Sequence, residues 1–235
     1  MGRIKVGLVI FLIFSACAFS DSRKELAGRI TQAEKTLKDF MEAPDSQIPC
    51  QLIHEADAII FLKQYKMGFV VGAKGGTGIV LAKDRKTGVW SPPAFIATAE
   101  GSVGFQLGGK TIDAILLVMN KEGLDFLLKS RLKIGGEISA AAGPVGRELG
   151  AQVGVPAAGI LVYSRAKGLF AGASFEGGVI ASDDKANQIF YGIENLRIRD
   201  ILSREKVSMP EEAKGLIENL MEYESRYKES VENRK

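Results

Sequence analysis

Histidine and cysteine are almost absent from this chain. Its 235 residues include one histidine and two cysteines, too few for a disulfide framework, a cysteine–histidine zinc site or most histidine-centred catalysis. An excess of one charge is also lacking, because 31 basic and 28 acidic side chains leave a formal net charge of +3. Nucleic-acid-binding proteins usually show a denser basic stripe. We therefore expect no cofactor and no nucleic-acid partner.

Glycine, in contrast, is abundant, and 22 of the 27 glycines lie between residues 68 and 182. Short apolar runs rich in β-branched and aromatic residues occur in and just before this segment, at 59–62, 68–72, 79–81, 115–118, 160–163 and 169–172. Glycines between such runs mark turns and bulges and permit tight curvature. The pattern predicts a curved antiparallel barrel or sandwich over residues 59–182, with either a filled interior or a cavity for acyl chains.

Helical periodicity flanks this β-rich core on both sides. Ser22 and Glu25 form a capping-box pattern that opens a predicted helix over residues 22–43, and Pro210 opens another over 210–233. We expect one α+β domain over residues 21–235. The first helix suits packing on the core or lying on a membrane, and the acidic residues of its polar face favour packing.

Residues 1–20 have the layout of a secretory signal. Arg3 and Lys5 precede nine apolar residues at 6–14, and small residues follow at 15–18. We expect export, by one of two maturation routes. Residues 14–17 resemble a bacterial lipobox, which we slightly favour and which would lipidate Cys17 to give a periplasmic or outer-membrane lipoprotein. Cleavage after Ala18 or Ser20 would instead release a secreted soluble form.

Enzyme motifs match only superficially. Residues 104–111 fit the Walker A pattern, but they alternate like a strand and another apolar run follows instead of a phosphate-binding helix. The S-x-x-K pattern occurs five times, including at Ser164, without its usual companion motifs in order. His54 lies on a predicted helix, and the chain has no G-x-S-x-G elbow. We expect no enzymatic activity.

The glycine-rich middle resembles the SYLF-domain family. The two most specific stretches are AAAGPVGR at 140–147 and YSRAKGLFAG at 163–172. Further matching stretches lie at 68–72, 75–78, 90–94, 104–108 with Asp113, and 190–192. The resemblance implies a non-enzymatic lipid-binding module. Eukaryotic members bind phosphoinositide membranes and, in fungi, actin; for an exported bacterial member, actin is not an expected partner and anionic phospholipid replaces phosphoinositide.

Basic side chains are the predicted lipid contacts. Arg147, Arg165 and Lys167 lie in the two specific stretches, and Arg147 and Arg165 are the preferred pair. Lys129, Arg131 and Lys133 are spaced by two, like one face of a strand. Cations near an anionic surface contribute about 1 kcal/mol each, so several are needed. The same residues equally suit solvated positions that protect strand edges.

Two functions therefore remain open. The first is a cell-envelope module that binds anionic phospholipid through these cations and the amphipathic first helix. The alternative is an envelope scaffold or protein-interaction lipoprotein, with an envelope protein as partner and only its acyl anchor in the membrane. Binding of protein that lacks Cys17 to liposomes distinguishes them.

Overall fold

The computed structural model describes residues 21–43, 47–68, 71–103, 110–129, 131–134, 138–145, 159–166, 169–170 and 178–233. The helices are α1 (Arg23–Glu42), α2 (Cys50–Glu55), α3 (Lys121–Leu128), α4 (Asp184–Tyr191), α5 (Ile198–Leu202) and α6 (Lys214–Glu232), with a 3-10 turn at Glu211–Ala213. The strands are β1 (Ala58–Gly68), β2 (Val71–Ala82), β3 (Ala94–Val103), β4 (Lys110–Val118), β5 (Arg131–Lys133), β6 (Ala140–Ala142), β7 (Ile160–Ala166), β8 (Leu169–Phe170) and β9 (Val179–Ser182).

Within these ranges the strands form one curved sheet. Its order is β5-β9-β3-β2-β1-β4-β7-β6, and β8 pairs with β7. Neighbours run antiparallel except for the parallel pair β6–β7, so the sheet is mixed, and β5 and β6 stand at opposite ends of a half-barrel. The predicted α+β class, a curved glycine-rich sheet with flanking helices, is confirmed.

Both faces of the sheet are covered by helices. Because side chains alternate along a strand, Ile59 and Phe61 of β1 face a core shared with α1, α2, α4 and α6. Ile60 and Leu62 face a second core, which is shared with α3 and α5. This double burial explains why the central strands are continuous apolar runs instead of alternating ones.

The first helix is a core helix. The Ser22 hydroxyl accepts a hydrogen bond from the Glu25 amide, and the Glu25 carboxylate accepts one from the Ser22 amide, completing the capping box. Along its inner face, Leu26, Ile30 and Phe40 are fully buried, which contributes roughly 1.5–3 kcal/mol per side chain. This burial agrees with the packing interpretation, since the apolar face is not available to a membrane. Among the described helices, none is long and apolar enough to cross a bilayer.

The hairpin between β1 and β2 differs from the sequence prediction. A separate strand was expected at 68–72, but β1 continues to Gly68 and β2 begins at Val71. The two strands pair from Ala58 opposite Ala82 to Gly68 opposite Gly72 and approach closely. A Cβ at Gly76 would lie 2.3 Å from the Lys63 carbonyl oxygen, and one at Gly78 would lie 2.0 Å from that of Phe61. Glycine at these positions therefore serves backbone approach.

The chain after the Walker-like stretch also forms a strand. Lys110 and Thr111 open β4, which pairs with β1 from Lys66 to Ala58. A phosphate-binding loop requires a helix N-terminus at this point, because its amide groups hold the phosphate. The strand at this position supports the rejection of the nucleotide-binding interpretation.

Candidate functional site

Four of the six predicted lipid contacts lie in the described part of the chain. Arg147 and Lys167, together with the predicted lipidation residue Cys17, lie outside the described residues. The structure shows the positions of the other four, which are Lys129, Arg131, Lys133 and Arg165.

The first three form an exposed group at one end of the sheet, which we call the β5 edge patch (Lys129, Arg131 and Lys133). Arg131 and Lys133 are exposed on β5, and Leu132 between them is fully buried. Lys129, in contrast to the predicted strand spacing, is the C-cap of α3, because its amide still donates to the Phe126 carbonyl. Its ammonium lies 5.3 Å from the centroid of the Phe126 ring. The edge patch thus combines a helix end and a strand.

Arg165 has a different environment. Its Nη1 donates to the backbone oxygen of Asp39 over 2.6 Å, and its guanidinium lies 5.1 Å from the centroid of the Phe40 ring. The Asp39 carbonyl belongs to the last turn of α1, where carbonyls lack helical partners and favour a nearby cation. In this structure Arg165 therefore joins β7 to the end of α1.

The four predicted cations that the structure describes do not converge on one site. Arg131 stands on β5 and Arg165 on β7, six inter-strand steps apart in the sheet order. At ~4.8 Å per step this separation is about 29 Å along the curved sheet. The edge patch and Arg165 are therefore separate features.

A polar cleft lies between α1 and the sheet. It has a volume of about 360 Å³, and we call it the α1 cleft. The sheet side includes Lys63 of β1, Thr77 of β2 and Asp113 of β4, which are register partners in one row. The complete lining is Glu25, Gly28, Arg29, Gln32, Ala33, Thr36, Phe61, Leu62, Lys63, Tyr65, Thr77, Gly78 and Asp113.

Asp113 and Arg29 each bring a buried, unsatisfied polar atom to this cleft, and Asp113 is the acceptor of the two. Its Oδ1 atom is buried and has no hydrogen-bond partner among the described residues. Burial raises the pKa of Asp113, and the nearby Lys63 ammonium only partly opposes this effect. Such an acceptor carries a desolvation cost that a hydrogen-bonded ligand would offset. The α1 cleft is therefore a second candidate site.

In the sequence Asp113 is one of several scattered carboxylates and belongs to a stretch that resembles the family, whereas no motif marks Lys63 as a site residue. A signal was present, since each charge adjoins an apolar run, at 59–62 and at 115–118. A charged side chain that continues a buried strand points to a polar environment inside the fold. No short sequence pattern, however, predicts that Lys63 and Asp113 are register partners.

A buried ion-pair network joins α6 to the sheet. Lys83 donates to Glu224 Oε1 over 3.0 Å and to the backbone oxygens of Ile53 and His54. The indole of Trp90 donates to the same Glu224 oxygen over 3.0 Å. Burial, followed by the Lys83 charge, lowers the pKa of His54. Because its partners are inside the protein, this network is an anchor for α6 instead of a ligand site.

Metal ligands do not cluster in the part of the chain that the structure covers. None of its groups of histidine, cysteine, aspartate and glutamate side chains brings three potential ligands together. Cys50 is a half-buried free thiol, and burial raises its pKa, which makes it a weak nucleophile and ligand.

These observations define an α+β module with a helix-covered half-barrel sheet, an exposed cationic edge and a polar cleft. Residues 99–223 match the family model described as "Ysc84: Las17-binding protein actin regulator". The chain belongs to this family, which is the SYLF-domain family indicated by the sequence.

Several curated proteins of the family are similar along most of this chain. SH3 domain-containing YSC84-like protein 1 of Xenopus laevis is 35% identical over 220 residues, covering 89% of this chain and 65% of that protein. The Homo sapiens protein of that name is 32% identical over 209 residues, covering 86% and 60%. Protein YSC84 of Saccharomyces cerevisiae is 31% identical over 203 residues, covering 83% and 43%. The chain thus spans less than two thirds of these relatives.

Proposed function

We propose that this protein is a non-enzymatic binding module that attaches to anionic phospholipid at a bacterial envelope membrane. The observation that carries the proposal is the β5 edge patch, where three exposed cations lie within five residues at an outer end of the sheet. Export, predicted from residues 1–20, supports the envelope location. The family names, which describe binding and regulation, support a non-catalytic role.

The expected strength follows from the number of cations. Three charges at about 1 kcal/mol each give about 3 kcal/mol, or roughly a hundredfold preference for an anionic over a neutral surface. The screening length is about 8 Å at physiological salt, so this preference should fall steeply as salt is added. Arg147 and Lys167 would add to the same attraction if they face the membrane.

The apolar side of α1 does not contribute to this contact, since it is buried in the core. Attachment is therefore electrostatic, and we assign no insertion into the acyl region to this helix. If Cys17 is lipidated, the acyl anchor and the β5 edge patch would act together at the same membrane.

The description of the family names binding to Las17 and regulation of actin. We do not extend actin binding to this chain, because predicted export would separate it from a cytoskeleton. An envelope protein partner is the alternative that the following experiment also tests.

Co-sedimentation of residues 21–235 with vesicles tests the lipid proposal. We expect binding to phosphatidylglycerol vesicles at low salt, little binding at high salt, and none to phosphatidylcholine vesicles. Charge reversal of the edge patch (Lys129→Glu, Arg131→Glu and Lys133→Glu together) should abolish binding. A matched control reverses three exposed lysines elsewhere, Lys24, Lys86 and Lys185, and should retain most of it.

Equal loss in both triple variants would show that only net charge matters and would refute the edge patch as a site. No binding by the unchanged protein would leave acylation of Cys17 as its membrane link. In that case the protein-partner alternative would be favoured.

A further inference from the structure

We propose that the α1 cleft binds a neutral polyhydroxyl ligand, such as a sugar unit, between the Lys63 and Asp113 side chains. This proposal is independent of lipid binding at the β5 edge patch, since the two sites lie on different parts of the sheet.

The arrangement of Lys63 and Asp113 is the starting point. They are direct partners in the antiparallel register of β1 and β4, where opposite side chains lie close enough to pair. The Asp113 Oδ1 atom nevertheless has no hydrogen-bond partner among the described residues, and Lys63 acts on the carboxyl group only as a nearby charge. The cleft lining thus contains both an ammonium donor and an unsatisfied carboxylate acceptor.

The other two charged side chains of the cleft, Glu25 and Arg29, already interact with groups of the protein. Glu25 is held by the amide and hydroxyl of Ser22 in the capping box. Arg29 forms ion pairs with Asp21 at 2.6 Å and Asp183 at 3.7 Å, so its charge is compensated, although its buried Nη1 has no hydrogen-bond partner among the described residues. The charges left for a ligand are therefore those of Lys63 and Asp113, which sum to zero.

This pair selects the chemistry of the ligand. A phosphate oxygen accepts hydrogen bonds from Lys63 but repels the Asp113 carboxylate, and an ammonium group has the opposite mismatch. A hydroxyl group both donates and accepts, so it can serve both side chains. Two neighbouring hydroxyls on one sugar ring can accept a hydrogen bond from Lys63 and donate one to Asp113.

The rest of the lining suits a sugar-sized molecule. Thr36, Thr77 and Gln32 add short polar groups that donate and accept. Tyr65 lines the cleft with 49% of its surface exposed, which offers an aromatic face to the C–H side of a ring. A volume of about 360 Å³ lies in the range of small-molecule sites.

A substitution at Gly28 can be used to block the cleft. It lies inside α1, where glycine costs about 1 kcal/mol relative to alanine, and a Cβ there would meet no atom within 4 Å. Packing therefore does not require glycine at this position. A large side chain at residue 28 should enter the cleft without displacing the helix.

Saturation-transfer NMR on the purified chain tests the proposal with glucose, galactose and N-acetylglucosamine as probes. Inorganic phosphate, glycerol phosphate and ethanolamine serve as charged competitors. We expect transfer to at least one sugar at millimolar concentration and no displacement by the competitors. Gly28→Phe and Asp113→Leu should each weaken binding at least tenfold. Thr31→Phe, at an exposed position of the same helix, is the matched control and should bind normally.

Asp113→Leu also separates binding from folding, because removing a buried acceptor without a partner should not destabilise the protein. The proposal is overturned if none of the three sugars shows transfer, or if both cleft variants bind normally. Displacement by glycerol phosphate would also overturn it and indicate a headgroup site. Vesicles with a monoglycosyl lipid, compared with the free sugar, would show whether the sugar is membrane-borne.

Discussion

Replacing Glu224 with leucine should remove the anchor of α6. Lys83 and Glu224 have only 4% and 8% of their side-chain surfaces exposed, so the substitution leaves an ammonium group buried without its counter-charge. The Trp90 indole would lose its acceptor as well. Breaking a buried pair from one side costs about 3–5 kcal/mol. With a urea m-value of about 2 kcal/mol/M, the unfolding midpoint should fall by roughly 1.5–2.5 M.

The matched control is the double variant Lys83→Met with Glu224→Leu. Replacing both charges with apolar groups of similar size is often neutral or stabilising, so the double variant should be much more stable than Glu224→Leu alone. Urea titration followed by the fluorescence of Trp90, the single tryptophan, measures all of these proteins. Two results would refute this explanation. One is a loss of less than about 1 kcal/mol in the free energy of unfolding of Glu224→Leu. The other is a loss in the double variant that equals the sum of the losses in Lys83→Met and Glu224→Leu measured separately.

The pH dependence of the Glu224→Leu variant gives a second test. Burial lowers the pKa of Lys83, and Glu224 opposes this shift, so the pKa should fall further without Glu224. The folded variant then binds fewer protons than its unfolded chain, which means that its stability rises with pH. The destabilisation should therefore decrease toward pH 10, and a constant difference from the unchanged protein would contradict this account.

Three further outcomes are expected. Gly143→Ala should cost about 1–3 kcal/mol in thermal or urea unfolding, because its Cβ would lie 2.1 Å from the buried Tyr163 ring, and an unchanged midpoint would contradict this. Asn187→Leu should lower the free energy of unfolding by about 1–3 kcal/mol, since the buried Asn187 side chain accepts a hydrogen bond from the Phe95 amide and donates one to the Phe95 carbonyl. The unfolding of Asn187→Asp, which keeps only the acceptor, is measured at the same pH for comparison. Because the pKa of Asp113 is raised in the folded protein, ionisation of this carboxyl group lowers the stability of the fold as the pH rises. The free energy of unfolding of Asp113→Asn should therefore exceed that of the unchanged protein at pH 8, and the difference should be smaller at pH 4.

Local patterns were sufficient for the first and last helices and for the class of fold. Ser22 and Glu25 identified the start of α1, because a capping box involves residues three positions apart. The spacing of Leu26, Ile30, Leu37 and Phe40 identified its buried face. The short glycine-punctuated runs predicted a curved β-rich core, and the family resemblance was equally visible in the residues.

Long-range pairing decided the α1 cleft and the α6 anchor. Lys63 and Asp113 are 50 positions apart in the sequence and meet through the register of β1 and β4, while Lys83 and Glu224 are 141 positions apart. Register depends on how whole strands bury their side chains on both faces, which no short window of sequence contains. The same pairing order places Arg131 and Arg165 six strands apart. The sequence by itself determined the first and last helices, the β-rich core, the family and the local group of cations at 129–133, since these rest on neighbouring residues. The α1 cleft and the α6 anchor exist only because distant segments pack together.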